Sequence, residues 1–500
     1  MEQPDILSLL PIAVTLVVAL FSRNVLAGLA VGLFTGVLMI SAADPLTAAG
    51  LLVTDHLVPQ LMDSYNAAVL VLLVFIGGFV ALMEHSGGGA AFARDVTRWL
   101  TTRARLQLAA WSGGILIFFS DLGTPLIVGP VFRSLADQLG MSRQKLAFII
   151  DSTASPVAIL IPFIGWGVYI MSLLQQQFEQ LGVGESDFTA FIRAIPFQLY
   201  AWLAVLMTPW LAFLKLDYGA MAHAEQTAHK PRESVIATPV STEKDRARAY
   251  FIWLPLLVLA AILGWMLVPL GFPFGRVSGG DFRAALSVAY LGAALTLITL
   301  MMMTGARKLL SSLALYFEGM SRMMQVAIML VLAWALSDVG AELGTAQYIA
   351  GVAAAGVPGW LIPLMVFAFS AIISFATGSS WGTFAIMFPL ALPAAIATDA
   401  QLFVTIGAVL SGGLFGDHSS PISETTILSA TGADCEQYDH FRTQLPYALS
   451  NGGLAAVGFL LAGITGSVWT LAGLVIAQVL MLLLIRSAAT GDRDALPSRG

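Results

Sequence analysis

Apolar segments long enough to cross a lipid bilayer recur along the whole length of this 500-residue chain. The chain is 58% hydrophobic and only 11% charged, whereas soluble domains carry roughly 25% charged residues. Because lipid offers the backbone no hydrogen-bond partner, such segments cross the bilayer as α-helices. The sequence therefore predicts an all-α polytopic membrane protein and excludes a soluble domain with a single anchor.

We predict about 11 transmembrane helices and two further apolar segments that are broken in the middle. The predicted crossings lie near residues 6–22, 25–41, 66–83, 146–170, 196–214, 250–270, 284–303, 323–340, 403–430, 446–464 and 467–486. The broken segments are 107–132 and 359–397. Each half of the first contains about a dozen residues, or roughly 18 Å of helix, which is too short to span a bilayer. We therefore predict that both segments are re-entrant hairpins whose tips meet near the middle of the membrane.

The charges of the loops predict how the chain is oriented. Basic residues concentrate in loops 84–106, 133–145 and 215–248, whereas loop 42–65 carries three aspartates and no Lys or Arg. Basic loops stay in the cytoplasm. We therefore predict a multi-pass protein of the bacterial inner membrane, with its N-terminus outside and its C-terminus in the cytoplasm.

The order of these elements repeats. A spanning helix, a hairpin, a broken helix and a second spanning helix occur at 66–214 and again at 323–464, with the hairpins entering from opposite sides. This order predicts an inverted-repeat architecture, with binding sites where the discontinuous elements meet. The remaining segments are then a transmembrane hairpin at 1–65, a cytoplasmic linker at 215–248, a connecting transmembrane hairpin at 249–322, and a last transmembrane helix with a cytoplasmic tail at 465–500.

Two polar motifs interrupt the apolar pattern, one in each half of the chain. The first is Asp151-Ser152-Thr153-Ala154-Ser155-Pro156, and the second is Gly416-Asp417-His418-Ser419-Ser420-Pro421-Ile422-Ser423-Glu424. An unpaired carboxylate in the bilayer core costs ~2.5 kcal/mol or more. These groups, and Asp121 in the break of segment 107–132, are therefore expected to line a cavity or to bind an ion.

Helix breaks also free backbone carbonyl groups, and hard cations prefer oxygen ligands. We therefore predict a Na⁺ site built from carboxylates and hydroxyls at four breaks: Asp417, Asp151, Asp121, Ser419, Ser420, Ser155, Thr153, Thr124, Ser379, Ser380 and Thr377. Removing a carboxylate from water favours its protonated form, so the three aspartates are also predicted to couple proton binding to cation binding. The alternatives are a helix N-cap for Asp151 or Asp417, or hydrogen bonding to a neighbouring turn.

Four neighbouring residues each allow two interpretations. Glu424 is either a second acidic group of the pathway or a surface charge. His418 is either a proton relay or a hydrogen-bonded polar residue. Trp166 and Trp381 each follow a polar break. They either form an aromatic gate or are membrane-interface or packing residues.

The sequence predicts no cofactor, no catalytic centre and no nucleic-acid partner. Its one cysteine, Cys435, excludes internal disulfides and cysteine-based metal sites. The run Gly87-Gly88-Gly89 lacks the Lys and Ser/Thr of a phosphate-binding loop, and the basic residues are dispersed. The expected partners are transported Na⁺ and H⁺ and the lipid bilayer, and a homodimer is left open.

The motifs resemble the NhaC family of sodium/proton antiporters, within the wider ion-transporter superfamily. The resemblance covers roughly residues 10 to 485. It is closest in GDHSSPISETTILSATGA (416–433) and DHFRTQLPYA (439–448), and it extends to IIDSTASPV (149–157) and ATGSSWGTF (376–384). A fourth family block usually reads Asp-Asp-Tyr-(small or Phe)-Asn-Ser, whereas this chain has Ser120-Asp121-Leu122-Gly123-Thr124-Pro125. One carboxylate and one amide of the family pattern are therefore absent at a predicted hairpin tip.

The resemblance implies a secondary transporter that exchanges Na⁺ for H⁺. Because members of this kind also exchange organic acids, the first alternative is a Na⁺- or H⁺-coupled transporter of a small organic anion or amino acid. The second alternative is a channel or a membrane scaffold without coupling. A channel needs a continuous polar pore, whereas the polar residues here cluster at four breaks, as expected for an occluded site.

Overall fold

The computed structural model describes residues 5–41, 44–89, 91, 100–228, 247–271 and 278–494. Within these residues the regular structure is helical, without a strand. The α-helices are α1 Leu10–Ser22, α2 Val25–Ser41, α3 Pro45–Leu51, α4 Val58–Met62, α5 Ser64–His85, α6 Arg103–Leu116, α7 Gly123–Gln138, α8 Arg143–Asp151, α9 Ser155–Ala158, α10 Gly165–Leu181, α11 Asp187–Ala194, α12 Leu199–Leu214, α13 Gly219–Ala228, α14 Tyr250–Leu267, α15 Gly279–Met303, α16 Leu309–Arg322, α17 Met324–Glu342, α18 Thr345–Gly356, α19 Ile362–Thr377, α20 Ser380–Ala397, α21 Leu402–His418, α22 Glu424–Ala433, α23 Gln437–Thr465 and α24 Trp469–Asp494.

In the described part of the chain, eight helices are long and apolar enough to cross a membrane. They are Ser64–His85, Tyr250–Leu270, Gly279–Met303, Leu309–Glu342, Gly359–Thr377, Ser380–Ala397, Gln437–Thr465 and Trp469–Ala488. The number rises to ten if each of two bent helix pairs counts as one span. The predicted all-helical membrane protein is confirmed, while the predicted number of about 11 crossings stays a prediction.

The described part of loop 42–65, residues 44–65, is largely helical, although no helix was predicted there. Its residues form α3, a π-helical turn at Leu52–Leu57 and α4. Asp44 caps α3 by accepting hydrogen bonds from the backbone N–H groups of Leu46 and Thr47, at 3.0 and 3.2 Å. Pro45 follows at the first helical position, where its missing N–H costs nothing. The Asp-Pro pair was therefore a local signal for a helix start.

Segment 107–132 is broken, as predicted. Its two helices, α6 and α7, contain 14 and 16 residues, which correspond to roughly 21 and 24 Å. Both are shorter than the ~30 Å hydrocarbon core. The break covers residues 117–122, and α7 begins at Gly123 with Pro125 in its first turn. The predicted break, at residues 120–125, therefore lies slightly C-terminal to the observed one.

Segment 359–397 is also broken, but its two halves are longer. Gly378 ends α19 in the left-handed conformation, with φ of 66°, and the Ser379 hydroxyl caps α20 by accepting from the Gly382 N–H at 3.3 Å. A side chain at Gly378 would press on Ile422. Each half is long and apolar enough to cross a membrane, so the length argument for a re-entrant hairpin does not apply here.

Two further helices break at the predicted polar motifs. The first is interrupted twice, between α8 and α9 and between α9 and α10, and the second is interrupted between α21 and α22. Helix α21 is buried along nearly its whole length. A Cβ atom at its Gly412 or Gly416 would collide with backbone atoms of α19, so the two helices pack in direct backbone contact. This packing fixes Asp417, the next residue of α21, against the break at Gly378.

Parts of two predicted cytoplasmic loops lie outside the described residues. These parts are residues 90 and 92–99 of loop 84–106 and residues 229–246 of the linker 215–248. The described start of the linker forms α13.

Candidate functional site

A cavity of about 600 Å³ lies where the helix breaks meet. It is lined by the break after α6, the start of α10, the break between α19 and α20, and the break between α21 and α22, together with α5 and the junction of α16 and α17. Its polar lining consists of Glu84, Ser120, Asp121, Arg322, Gln325, Ser379, Ser380, Asp417, Ser423, Glu424 and Thr425. This convergence of discontinuous helices is where a transporter site is expected.

Asp417 lies at the centre of two of these breaks. Its side chain accepts a hydrogen bond from the Ser380 hydroxyl at 3.2 Å and also interacts with Ser423. Only 5% of the residue is exposed. Asp417 belongs to the last turn of α21, while the N-cap of α22 is Ser423. The N-cap alternative for Asp417 is therefore wrong, and its carboxylate faces hydroxyl groups from two other segments.

Asp121 lies in the break after α6, which is held in place by Glu84. The Ser120 hydroxyl donates to Glu84 Oε1 at 2.6 Å and accepts from the Gly123 N–H at 2.8 Å. The guanidinium of Arg322 lies 3.5 Å from Glu84 Oε2. These contacts lock the turn and leave Asp121 on the cavity wall, close enough to Glu424 for their charges to interact.

Asp151 does not line the cavity, contrary to the expectation of one joint site. Its carboxylate is fully buried and accepts a hydrogen bond from Gln444 Nε2 at 2.6 Å. The Nε2 atoms of His440 and His418 lie 3.4 and 3.7 Å from Asp151 Oδ2. The Ser429 hydroxyl donates to Oδ1 at 3.4 Å. Asp151 thus forms a closed polar cluster, which we call the histidine cluster, with His418, His440, Gln444 and Ser429.

The N-cap alternative also fails for Asp151. Asp151 is the last residue of α8, and the N-cap position of α9 is Ala154. His418, its neighbour in the cluster, is a hydrogen-bonded polar residue, since Tyr200 Oη lies 2.8 Å from its Nδ1. This agrees with the second of the two interpretations given for His418.

Six of the predicted hydroxyl ligands lie outside the cavity lining. Five of them donate to backbone carbonyl groups: Thr124 to Ser120, Thr153 to Ile149, Thr377 to Ile373, Ser419 to Phe415 and Ser420 to Phe375. The sixth, Ser155, has a buried hydroxyl without a hydrogen-bond partner among the described residues. Of the predicted ligands, the cavity therefore brings together Asp417, Asp121, Ser379 and Ser380.

Two tryptophans form one wall of the cavity. The ring centroids of Trp166 and Trp381 lie 5.0 Å apart with their planes tilted by 60°. Tyr169 supports this pair, with its ring 4.6 Å from Trp381 and its hydroxyl donating to the Trp381 carbonyl at 2.8 Å. Their position at the cavity agrees with an aromatic boundary of the site.

Four polar residues of these two centres were not predicted from the sequence: Glu84, Arg322, His440 and Gln444. Glu84 ends an apolar helix, and α5 approaches α16 so closely that a Cβ at Gly77 would lie 2.6 Å from the Gly319 carbonyl. His440 and Gln444 are four residues apart on α23 and so share one helix face. That spacing was available in the sequence, whereas the approach of Glu84 to Arg322 was not.

Comparisons with known proteins agree with this architecture. Residues 157–464, more than half of the chain, match the model of the Na⁺/H⁺ antiporter family. An uncharacterized protein of Haemophilus influenzae is 30% identical over 494 residues, covering 96% of this chain and 94% of that protein. An uncharacterized Na⁺/H⁺ antiporter of the same organism is 36% identical over 95 residues, 19% of this chain and 20% of that protein.

A solved structure shares the fold. The YdaH transporter of Alcanivorax borkumensis superposes with a TM-score of 0.60 at 16% identity, covering 86% of this chain and 90% of that one. The family resemblance seen in the polar motifs is confirmed by the family match. The chain is a membrane transporter and belongs to the Na⁺/H⁺ antiporter family.

Proposed function

We propose that the protein exchanges Na⁺ for H⁺ across the bacterial inner membrane, with Asp417 as the shared binding group. The observation that carries this proposal is the convergence of Asp417, Ser380 and Asp121 on one cavity at the helix breaks. Membership in the antiporter family supports it.

The proposed coupling is a competition for one carboxylate. Asp417 binds either a proton or a cation, and both occupants neutralise its charge. Ser380, Ser379 and Ser423 supply oxygen ligands that a hard cation prefers. An empty, ionised Asp417 is costly inside the membrane, so reorientation of the site is favoured only when one of the two ions is bound. Asp121 is proposed as a second carboxylate that holds the incoming ion in the cavity.

The test is Na⁺-driven proton flux in proteoliposomes that contain the purified full-length chain. An inward Na⁺ gradient is expected to drive outward proton movement without any organic solute. Absence of this flux in a folded preparation, under all Na⁺ gradients tried, contradicts the proposal.

We also propose the predicted orientation and the inverted repeats at 66–214 and 323–464. An impermeant thiol reagent added outside is expected to label Thr54→Cys but neither Thr101→Cys nor Lys215→Cys. Burial raises the pKa of the single native thiol, Cys435, to about 12, so its reactive thiolate is scarce; replacing it with Ser removes the remaining background. Labelling of Thr101→Cys from outside excludes this topology.

The volume of the cavity favours a second candidate function. A volume of about 600 Å³ lies within the range of roughly 300–1,000 Å³ that small organic ligands occupy in proteins, and it is far larger than a bare Na⁺ needs. The second candidate is therefore exchange of a small organic solute in the same cavity, coupled to the Asp417 site.

A further inference from the structure

The charges that line the cavity are unequal. In the described part of the chain, four carboxylates line it, those of Glu84, Asp121, Asp417 and Glu424, against one guanidinium, that of Arg322. Cavity walls that carry charge of one sign raise the local concentration of ligands that carry the opposite charge. The excess of acid therefore favours a cationic solute.

Arg322 does not reverse this preference, because its charge is already paired. Its guanidinium lies 3.5 Å from Glu84 Oε2 and donates a hydrogen bond to Glu318 Oε1 at 2.8 Å. An organic anion would have to break these pairs before it gained a positive partner. Asp121 and Glu424 have no ion-pair partner among the described residues, and their charges are close enough to interact.

The tryptophan wall supplies an independent indication of a ligand. Trp166 is 97% buried, with 3% of its surface exposed, and its indole N–H lies near the Asp121 carboxylate without closing a well-formed hydrogen bond. Indole faces attract ammonium and guanidinium groups, so the two rings suit a cationic ligand.

We propose that the cavity binds a small aliphatic amine in its protonated form, with the ammonium group between Asp121 and Glu424 and the carbon chain against Trp166 and Trp381. This inference rests on the second candidate function and names its substrate class. Asp417 and Ser380 stay available for the coupling ion. The four carboxylates disfavour organic anions, which the sequence alone left open, at the same position.

The experiment compares three four-carbon probes that differ only in their end groups: 1,4-diaminobutane, 4-aminobutanoate and butanedioate. Each is added to the purified full-length protein, and the midpoint of thermal unfolding and the quenching of tryptophan fluorescence are measured. A ligand that binds the folded state raises the midpoint. We expect a rise and a quench with 1,4-diaminobutane, a smaller effect with 4-aminobutanoate and none with butanedioate. An effect of butanedioate equal to or larger than that of the diamine, or no effect of any probe, overturns the inference.

Variants localise the binding. Glu424→Gln is expected to weaken diamine binding at least about tenfold, because it removes a charged hydrogen-bond partner. The matched control is Glu342→Gln, an exposed glutamate outside the cavity, which should bind like the wild type. Trp381→Leu should weaken binding more than Trp381→Phe, which keeps an aromatic face. Unchanged binding in both Glu424→Gln and Trp381→Leu contradicts the proposed position.

The same proteoliposomes separate this inference from the proposed Na⁺/H⁺ exchange. Sodium-driven proton flux without any effect of the diamine refutes the inference and leaves the exchange proposal standing. Diamine uptake driven by a proton gradient, without Na⁺-driven flux, supports the inference and contradicts the exchange proposal. If neither occurs in protein whose thermal unfolding is cooperative, both proposals are wrong.

Discussion

The cavity and the histidine cluster are two acidic centres that lie on either side of adjacent residues of α21. Asp417 belongs to the cavity and His418 to the cluster. In the cavity, carboxylates face open volume and a few hydroxyl groups. In the cluster, the Asp151 carboxylate is surrounded by the side chains of Gln444, His440 and His418.

This difference separates two ways of satisfying a buried carboxylate. A carboxylate that the protein itself surrounds with donors stabilises the fold and has little need of an ion. A carboxylate that the protein leaves partly unsatisfied needs a ligand, so it is the better candidate for transport. We therefore propose that Asp417 and Asp121 belong to the transport site and that Asp151 belongs to the scaffold behind it.

The sharpest test of this comparison is Asp417→Asn. The amide has the same shape but can neither take up a proton nor offer a full negative charge to a cation. We expect Na⁺-driven proton flux to fall to that of protein-free liposomes, with the midpoint of thermal unfolding little changed. The control is Asp399→Asn, because Asp399 is exposed, lies outside the cavity and has a φ of 52°, which Asn tolerates. Exchange at the wild-type rate in Asp417→Asn contradicts the assignment.

The second test moves the same substitution to the histidine cluster. Asp151→Asn removes the charge that faces two buried imidazoles. Leaving buried donors without their charged acceptor costs about 1–3 kcal/mol, and we expect about 2 kcal/mol because Asn still accepts from Gln444. Denaturant unfolding in detergent measures this loss. Where the variant folds, its exchange should retain the wild-type dependence on Na⁺ concentration; a raised apparent Na⁺ requirement with unchanged stability would move Asp151 into the transport site.

The sequence predicted the breaks of the helices because their causes are local. Gly378 needs a left-handed conformation, and Pro156 and Pro421 follow runs of small hydroxyl residues that compete for backbone hydrogen bonds. Each break therefore appeared at or near its predicted position. The meeting of Asp417 with Ser380 also agrees with the expectation that discontinuous helices meet at one site.

The division of the three aspartates between two centres could not be predicted in the same way. It depends on which helix packs behind each break, and the partners His440 and Gln444 of Asp151 come from α23. A hydroxyl within a break either faces the cavity or bonds to the preceding turn, and Thr377 and Ser379 show both outcomes two residues apart. Only the rotation of each helix end decides between them.

Ser380→Ala tests the cavity at a single hydroxyl. Its Oγ donates to Asp417 at 3.2 Å and is proposed as a cation ligand. Hydrogen bonds to charged groups contribute about 1.5–3 kcal/mol, so we expect the apparent Na⁺ affinity of exchange to fall about tenfold or more while the maximal rate changes less. The measurement is flux against Na⁺ concentration. An unchanged half-saturation value removes Ser380 from the ion site.

The smallest effect is expected at Thr124, which the sequence placed in the ion site and the structure places behind it. Its hydroxyl donates to the Ser120 carbonyl at 2.9 Å, and 1% of the residue is exposed. The same hydroxyl lies 3.3 Å from the Ile117 carbonyl. Thr124→Val keeps the shape and loses both neutral contacts, which together contribute about 1 kcal/mol. We therefore expect a lower thermal midpoint with an unchanged half-saturation for Na⁺, the reverse of the result for Ser380→Ala. A change in Na⁺ dependence at Thr124 would mean that the turn after α6 opens during transport and exposes this hydroxyl to the ion, so that the boundary of the cavity differs between states of the exchanger.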